Sequence, residues 1–153
     1  MKIHFTNYAD SKFKDKQNKL NEYAYKSKQF DLITAWSPDC INKQFYEENI
    51  EILEQPRGGG YWLWKPYFIF NTMVKRMDEG DALLYLDSGD VFHGNIRNLI
   101  RNVMSAHDIL LTIGHNEQKK YCKRDAFYFM GCNSEEYWNN MQIEAGMIII
   151  KNN

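Results

Sequence analysis

The fold is decided by one stretch of the chain, Asp81–Phe92, which reads DALLYLDSGDVF. Residues Ala82–Leu86 form an unbroken apolar run, the pattern of a strand buried on both faces, as in a parallel sheet. The run ends in two acids, Asp87 and Asp90, separated by a Ser-Gly pair. Because open α/β sheets bind ligands at the carboxyl ends of their strands, we expect a binding site here.

The two acids admit two interpretations. Clustered carboxylates suit a hard divalent cation such as Mg²⁺ or Mn²⁺, which commonly holds a diphosphate in turn. Alternatively, Asp87 or Asp90 caps the following turn or helix, as Asp often does. This stretch alone does not distinguish a cation site from a helix cap, so the choice depends on the neighbouring sequence.

Composition limits the function classes. The chain has 153 residues, enough for a single domain, 1–153, with a core of its own. It carries 19 basic and 20 acidic residues, a net charge of −1, so no basic excess points to nucleic acid or to an anionic membrane. The three cysteines form no Cys-x-x-Cys pair, which indicates free thiols in a reducing compartment and no zinc site.

The sequence also lacks membrane signals. No window of 18 residues is continuously apolar, so no membrane span is predicted. The amino terminus, Met1–Phe5, lacks the long apolar middle of a signal peptide. We therefore expect a cytoplasmic protein.

Strands and helices alternate along the chain. Strands are predicted at 2–6, 31–36, 82–86, 107–113 and 144–152, and helices at 11–27, 42–49, 65–78, 96–105 and 124–130. Such alternation predicts an α/β fold, a mainly parallel sheet flanked by helices on both faces. The 65–78 helix is expected to be buried on most of its surface, and 115–123 to be a polar loop. Because almost nothing follows the last strand to cover it, we expect a truncated or short form of a longer protein.

A glycine run and a lone lysine stand before the 65–78 helix. Gly58–Gly60 can take positive φ and approach a ligand closely, or can serve as a mobile connector. No Gly-Lys-Ser/Thr follows, so the run is not an NTPase phosphate loop. Lys65 is an isolated cation that either extends to solvent along apolar surface or contacts a phosphate or sugar.

Several stretches together resemble a known family. The sequence is similar to GT-A fold nucleotide-sugar glycosyltransferases, in particular bacterial and viral enzymes of capsule and surface-glycan synthesis. The similarity covers about residues 3–151, and its most distinctive part is GGGYWLWKP at 58–66. The matching stretches are Phe5–Tyr8, Arg57–Pro66, Leu84–Asp90, Lys123–Phe127 and Glu144–Ile149.

The resemblance implies a fold and an activity. The fold would be a GT-A (Rossmann-like) sheet, and the enzyme would move a sugar from a UDP- or GDP-type donor to a glycan or other acceptor hydroxyl. Mn²⁺ or Mg²⁺ would be the cofactor. Thr6, Asn7 and Tyr8 would hold the base and ribose, with Tyr8 stacking on the base or remaining an ordinary surface tyrosine.

The acid motif of the family maps onto Asp87, Ser88 and Asp90. Asp87 matches the first acid, which contacts ribose or metal. Gly89 stands where a strict Asp-x-Asp motif has its second acid, so either Asp90 takes over as the metal ligand or Asp87 serves alone.

The chemistry requires further charged groups. Negative charge builds on the leaving diphosphate, and a divalent cation with Arg57 or Lys65 can stabilise it. An acid near the anomeric carbon can deprotonate the acceptor or stabilise an oxocarbenium-like state, and Asp125 and Glu144 are the candidates. Asp125 can instead cap its helix, and Glu144 can instead be a strand-entry residue.

The sequence allows one alternative function and argues against another. A shortened GT-A domain could bind a nucleotide sugar without transferring it, and so act as a binding module. A phosphatase with Asp87 as its nucleophile is disfavoured, because Asp87–Val91 does not give the order of residues that such enzymes use.

Overall fold

The computed structural model describes residues 1–153 and shows a mixed α/β fold. The strands are β1 (Ile3–Tyr8), β2 (Leu32–Trp36), β3 (Ala82–Leu86), β4 (Ile109–Glu117) and β5 (Met141–Lys151). The helices are α1 (Lys14–Ser27), α2 (Lys43–Glu48), α3 (Ile50–Leu53), the turn α4 (Gly58–Tyr61), α5 (Trp64–Arg76), α6 (Ile96–Met104), α7 (Arg124–Phe129) and α8 (Glu135–Trp138). Two short 3₁₀ helices span Pro38–Cys40 and Gln118–Lys120. None of the helices combines the length and the apolar character needed to cross a membrane.

The five strands form one sheet in the order β2-β1-β3-β5-β4. β1 pairs in parallel with β2 and β3, whereas β5 runs antiparallel to both of its neighbours. The sheet is therefore mixed, and the prediction of a mainly parallel sheet was too strong. A parallel connection needs a crossover to the opposite end of the sheet. The segment between β4 and β5 instead begins and ends at the same end of the sheet, so β5 runs antiparallel to β4.

Helices cover both faces of the sheet, as predicted. Successive residues of β3 point to opposite faces, so Leu84 and Leu86 join one core cluster while Leu83 and Tyr85 join the other. The first cluster includes side chains of α1 and α6, and the second includes side chains of α5. The strand that the apolar run predicted is buried along its whole length.

The β4–β5 pair is longer than the sequence indicated. β4 continues to Glu117, so the first part of the expected 115–123 loop is strand, and β5 begins three residues before the expected 144. Leu86, the last residue of β3, is paired with Met147, and β5 extends six residues beyond that point. Backbone pairing between two strands holds this extension, in which apolar and polar side chains, among them Met141, Ile143 and Glu144, are exposed. The ladder changes register after Leu111 and again after Ile113.

Helix α5 is buried on one side only. Phe68 and Thr72 are fully covered by the sheet, whereas Phe70 and Val74 are 65% and 64% exposed. The expectation that most of its surface is buried was wrong. The apolar residues of the helix occur on two faces, and only one of them faces the sheet.

Two acids hold the amino end of β1. The backbone N–H of Lys2 donates to Asp81 Oδ1 at 2.7 Å, and that of Ile3 donates to Asp31 Oδ2 at 2.7 Å. Asp81 Oδ2 also lies 3.1 Å from Nε2 of the buried His4. Burial raises the pKa of Asp81, but the hydrogen bonds from backbone N–H groups and from His4 outweigh it and leave that pKa below its ordinary value.

We expect Asp81→Asn to lower the free energy of unfolding at pH 7 by about 1.5–3 kcal/mol, since it removes charge-assisted hydrogen bonds. A lowered folded-state pKa contributes stability above the unfolded-state pKa, and the contribution is lost as the pH falls through the folded-state value. The difference in unfolding free energy between wild type and Asp81→Asn should therefore become smaller below about pH 4. Urea unfolding from pH 7 to pH 3 measures it.

Asp108→Asn is the matched control, because its carboxyl is 69% exposed. We expect it to leave the unfolding free energy nearly unchanged across the same range. If the loss of unfolding free energy in Asp81→Asn did not depend on pH, the ionised Asp81 carboxylate would not be the group that stabilises the amino end of β1.

Candidate functional site

A cavity of about 450 Å³ opens at the carboxyl ends of β1 and β3. β1 lies where the sheet order reverses, with β2 on one side and β3 on the other, and α/β sheets bind ligands at such a point. The residues that line the cavity come from three segments, Tyr8–Phe13, Pro56–Trp64 and Asp87–Asp90.

A second and more open cleft of about 520 Å³ adjoins the first. Trp62 and Asp87 line both. The second cleft is otherwise formed by Lys65 and Pro66 at the start of α5, and by Ala145 and Gly146 on β5. Asp87 therefore lies between the two spaces.

The glycine run forms an ordered left-handed turn in the cavity wall. All five residues from Gly58 to Trp62 have positive φ, including the two that are not glycine. The backbone N–H of Tyr61 donates to Arg57 O at 2.8 Å, and the Trp64 indole N–H donates to Gly58 O at 3.0 Å. This segment is hydrogen-bonded structure and not a mobile connector.

Gly60 is sterically required at its position. A Cβ there would lie 2.7 Å from the Cα of Leu53, and the φ of Gly60 is +94°. A Cβ at Gly59 would meet nothing closer than the Trp64 indole nitrogen at 3.8 Å, although its φ is also positive, at +55°. The two glycines thus differ in steric crowding while both adopt a left-handed backbone.

Aromatic rings form much of the cavity. Tyr8 stacks on Trp64 with ring centroids 3.9 Å apart and on Phe68 at 5.4 Å, and only 8% of Tyr8 is exposed. Burial, with smaller effects from nearby acids, raises the pKa of Tyr8 to about 12, so its hydroxyl stays protonated. Phe13 and Trp62 are each 46% exposed and are the rings most open to a ligand.

Asp87 is held from two sides. Its Oδ1 accepts a hydrogen bond from the Tyr85 hydroxyl at 2.5 Å and lies 2.9 Å from the Lys65 ammonium. Lys65 also donates to the carbonyl of Ala145 at 2.8 Å, and its side chain is only 10% exposed. Of the two interpretations of Lys65, extension to solvent is therefore wrong: the ammonium is buried and paired.

The second oxygens of the two acids both lie close to Gly146. A Cβ on Gly146 would lie 3.1 Å from Asp90 Oδ2 and 3.7 Å from Asp87 Oδ2. Burial raises the pKa of Asp90, and the charges of Asp87 and Glu144 raise it further, against an opposing effect of Lys65. The site thus concentrates negative charge that a cation would relieve.

Most of the predicted site residues meet around the two clefts. Ser88 is buried, and its hydroxyl donates to the carbonyl of Tyr8 at 2.6 Å, which ties the ends of β1 and β3 together. Glu144 lies on β5 beside Gly114 and lines neither cleft, although its charge raises the pKa of Asp90. The predicted residues brought together are Tyr8, Lys65, Asp87, Ser88, Asp90 and Glu144.

Thr6 and Asn7 are placed behind the cavity and not in it. Both are fully buried. The Thr6 hydroxyl donates to the carbonyl of Thr34 at 3.2 Å. The Asn7 amide donates to Asn21 Oδ1 at 2.6 Å and accepts from Gln17 at 3.0 Å. Their side chains form hydrogen bonds inside the protein and are not accessible to a nucleotide-sugar donor in the cavity.

Arg57 and Asp125 are also outside the clefts. Arg57 is exposed, with its guanidinium 5.9 Å from the centre of the Trp62 ring. Asp125 is exposed in the first turn of α7 and lines neither space.

Sequence reasoning missed several residues that line the site. Asp10, Lys12 and Phe13 follow directly on β1, and their position after a strand end was the available signal. Tyr85 carried no such signal, because it lies within an apolar run and only the fold shows its hydroxyl reaching Asp87. Gly146 was part of a quoted stretch, but its nearness to both acids depends on how β5 pairs.

The chain matches no protein-family model, no curated protein and no solved structure.

We expect Gly60→Ala to destabilise the protein by at least about 2 kcal/mol more than Gly59→Ala. Both substitutions carry the left-handed backbone cost of about 1–2 kcal/mol, but only Gly60→Ala forces backbone atoms apart in a packed region. Urea unfolding of the two variants measures the difference. Equal losses would show that the turn yields at Leu53 without cost.

Proposed function

We propose that this protein is a metal-dependent GT-A type glycosyltransferase that moves a sugar from a nucleotide-diphosphate donor to a glycan or other acceptor hydroxyl. One observation carries the proposal. Gly58–Pro66, the most distinctive part of the resemblance, and Leu84–Asp90, which carries its less specific acid motif, are distant in sequence but both contribute residues to one cavity at the reversal of the sheet order. The helix-covered faces of the sheet and the parallel β2-β1-β3 part also support this fold.

The cavity suits a nucleotide in size and in lining. Its volume lies within the range of small-molecule sites, about 300–1,000 Å³. Phe13 and Trp62 offer half-exposed rings on which a base can stack, whereas Tyr8 is already packed against Trp64. The protonated hydroxyl of Tyr8 can donate a hydrogen bond to the ligand.

Asp87 and Asp90 fit a divalent cation. Asp87 Oδ1 is already used by Tyr85 and Lys65, which leaves Oδ2 free on the side shared with Asp90 Oδ2 near Gly146. Carboxylate oxygens are the ligands that Mg²⁺ and Mn²⁺ prefer. When bound, the cation would neutralise charge on the diphosphate leaving group.

Lys65 would act mainly by fixing the site. Its ammonium joins Asp87 to the carbonyl of Ala145, so it sets the distance between the end of β3 and the start of the second cleft. Two of its three N–H bonds have partners there, and the third remains available for a phosphate oxygen. Such charged groups, held before the ligand arrives, stabilise developing charge without reorganisation.

Glu144 is the better supported of the two acids proposed to act on the acceptor. Its charge already influences Asp90, and the open cleft beside it is bounded by its neighbours Ala145 and Gly146. Asp125 lies outside both clefts and would need a rearrangement of α7 to take part.

We expect UDP or GDP with Mn²⁺ to raise the melting temperature. At a ligand concentration of 100 times Kd, linkage adds about 2.7 kcal/mol, which corresponds to a shift of roughly 5–10 °C for a chain of this size. Asp87→Asn should remove most of the shift, because it removes a metal ligand. Scanning fluorimetry measures both.

Asp15→Asn, an exposed acid on α1, is the control and should keep the full shift. Because Asp87→Asn also weakens the contact with Lys65, the ligand-free melting temperature of each variant serves as its own baseline. No shift of the wild-type protein with either nucleotide would contradict the proposal.

We also expect the protein to release free nucleoside diphosphate from a UDP- or GDP-sugar in the presence of an acceptor. Glu144→Gln should lower that rate by about 10²–10⁴-fold if Glu144 takes the acceptor proton, while the nucleotide shift persists. Asp125→Asn should leave the rate within about twofold of wild type, because surface substitutions remote from a site have small effects. A coupled assay for the released diphosphate measures all three proteins.

If nucleotide binds but no donor is turned over with any acceptor, the result would favour the alternative function, a nucleotide-sugar-binding module. A loss of activity in Asp125→Asn with full activity in Glu144→Gln would reverse the assignment of the two acids.

A further inference from the structure

Three consecutive apolar side chains face water at the end of helix α7. Tyr128, Phe129 and Met130 are 66%, 84% and 78% exposed, and Phe129 is the most exposed large apolar residue of the chain. Phe127 alone is buried and fixes the helix to the rest of the protein. A run of three exposed apolar residues is unfavourable in water unless something covers it.

Basic residues immediately precede this run. Residues 119–130 contain four cations and a single acid, a net charge of +3 in a chain whose total is −1. Lys119 is paired with Glu117 at 3.3 Å, and Arg124 stacks on Trp138 at 3.6 Å. The cations of this segment are Lys119, Lys120, Lys123 and Arg124.

Lys120 and Lys123 are exposed and make no ion pair, so both are available to an external anion. Tyr121, between them, is 61% exposed. The next helix, α8, adds Glu135 and Glu136. The positive charge is therefore confined to residues 119–124 and does not extend over the whole segment between β4 and β5.

The topology puts this segment at the edge of the sheet that carries the cavity. β4 runs in the same direction as β3, since both are antiparallel to β5. The β4–β5 pair extends beyond Leu86, and the segment connects the far ends of that extension. It therefore projects past the strand ends from which Asp87 and Asp90 arise.

We propose that residues 119–130 form an interfacial anchor that binds an anionic lipid surface. Phe129 and Met130 would insert at the level of the headgroups, with Tyr128 at the boundary, and Lys120 and Lys123 would contact lipid phosphates. Aromatic and apolar side chains beside lysines are the composition with which peripheral segments hold a charged membrane surface. The anchor does not depend on the nucleotide cavity, so it stands or falls independently of the proposed function.

Co-sedimentation with vesicles tests the anchor. The full chain is mixed, without nucleotide, with vesicles of phosphatidylcholine alone or with 30% phosphatidylglycerol added. We expect wild type to pellet with the anionic vesicles and to be released as salt is raised. The double variant Phe129→Ser/Met130→Ser should lose most of this binding, and Lys120→Gln/Lys123→Gln should weaken it about tenfold or more.

Tyr25→Ser is the matched control, because Tyr25 is 78% exposed on α1 and lies outside the segment. It should bind as wild type does, and melting temperatures verify that every variant is folded. Equal pelleting with neutral and anionic vesicles, or undiminished binding by the double variant, would overturn the anchor. A second result would also overturn the anchor: the wild type binds no vesicles but runs as a dimer on a sizing column, and the double variant runs as a monomer. The patch would then join two copies of the chain.

Discussion

The partly buried contact between Lys65 and Asp87 is the constraint on which the rest of the site depends. It joins the first turn of α5 to the end of β3, and through the Ala145 carbonyl it reaches β5 as well. Breaking a fully buried ion pair costs about 3–5 kcal/mol, and the cost here is smaller because 40% of the Asp87 side chain is exposed. The remaining exposure is what leaves one carboxylate oxygen free for a ligand.

Local features of the fold could be predicted from the sequence, and non-local ones could not. The buried strand β3 and its terminal acids follow from an apolar run, which is a property of neighbouring residues. The direction of β5 and the exposed face of α5 depend on partners that the pattern does not specify. Thr6 and Asn7 illustrate the same limit, because only the fold shows that their polar groups are satisfied by Thr34, Asn21 and Gln17.

The two walls of the cavity achieve rigidity in different ways. On one side, Tyr8, Trp64 and Phe68 pack their rings against one another. On the other, the left-handed turn keeps Tyr61 and Trp62 at positive φ, which disfavours L-residues and persists only where surrounding contacts fix it. The sequence showed that the glycines can take positive φ, but it gave no sign that Tyr61 and Trp62 would do so as well.

Strand β4 lies at the border of the sheet, with Ile109 and Ile113 largely uncovered. A long, regular border strand offers unpaired backbone groups to another molecule and promotes aggregation. The register of β4 against β5 shifts twice, so no more than three residues in succession, Ile109–Leu111, pair without interruption. Such irregularities bend and twist a strand, and they leave a foreign strand only a short template on which to add.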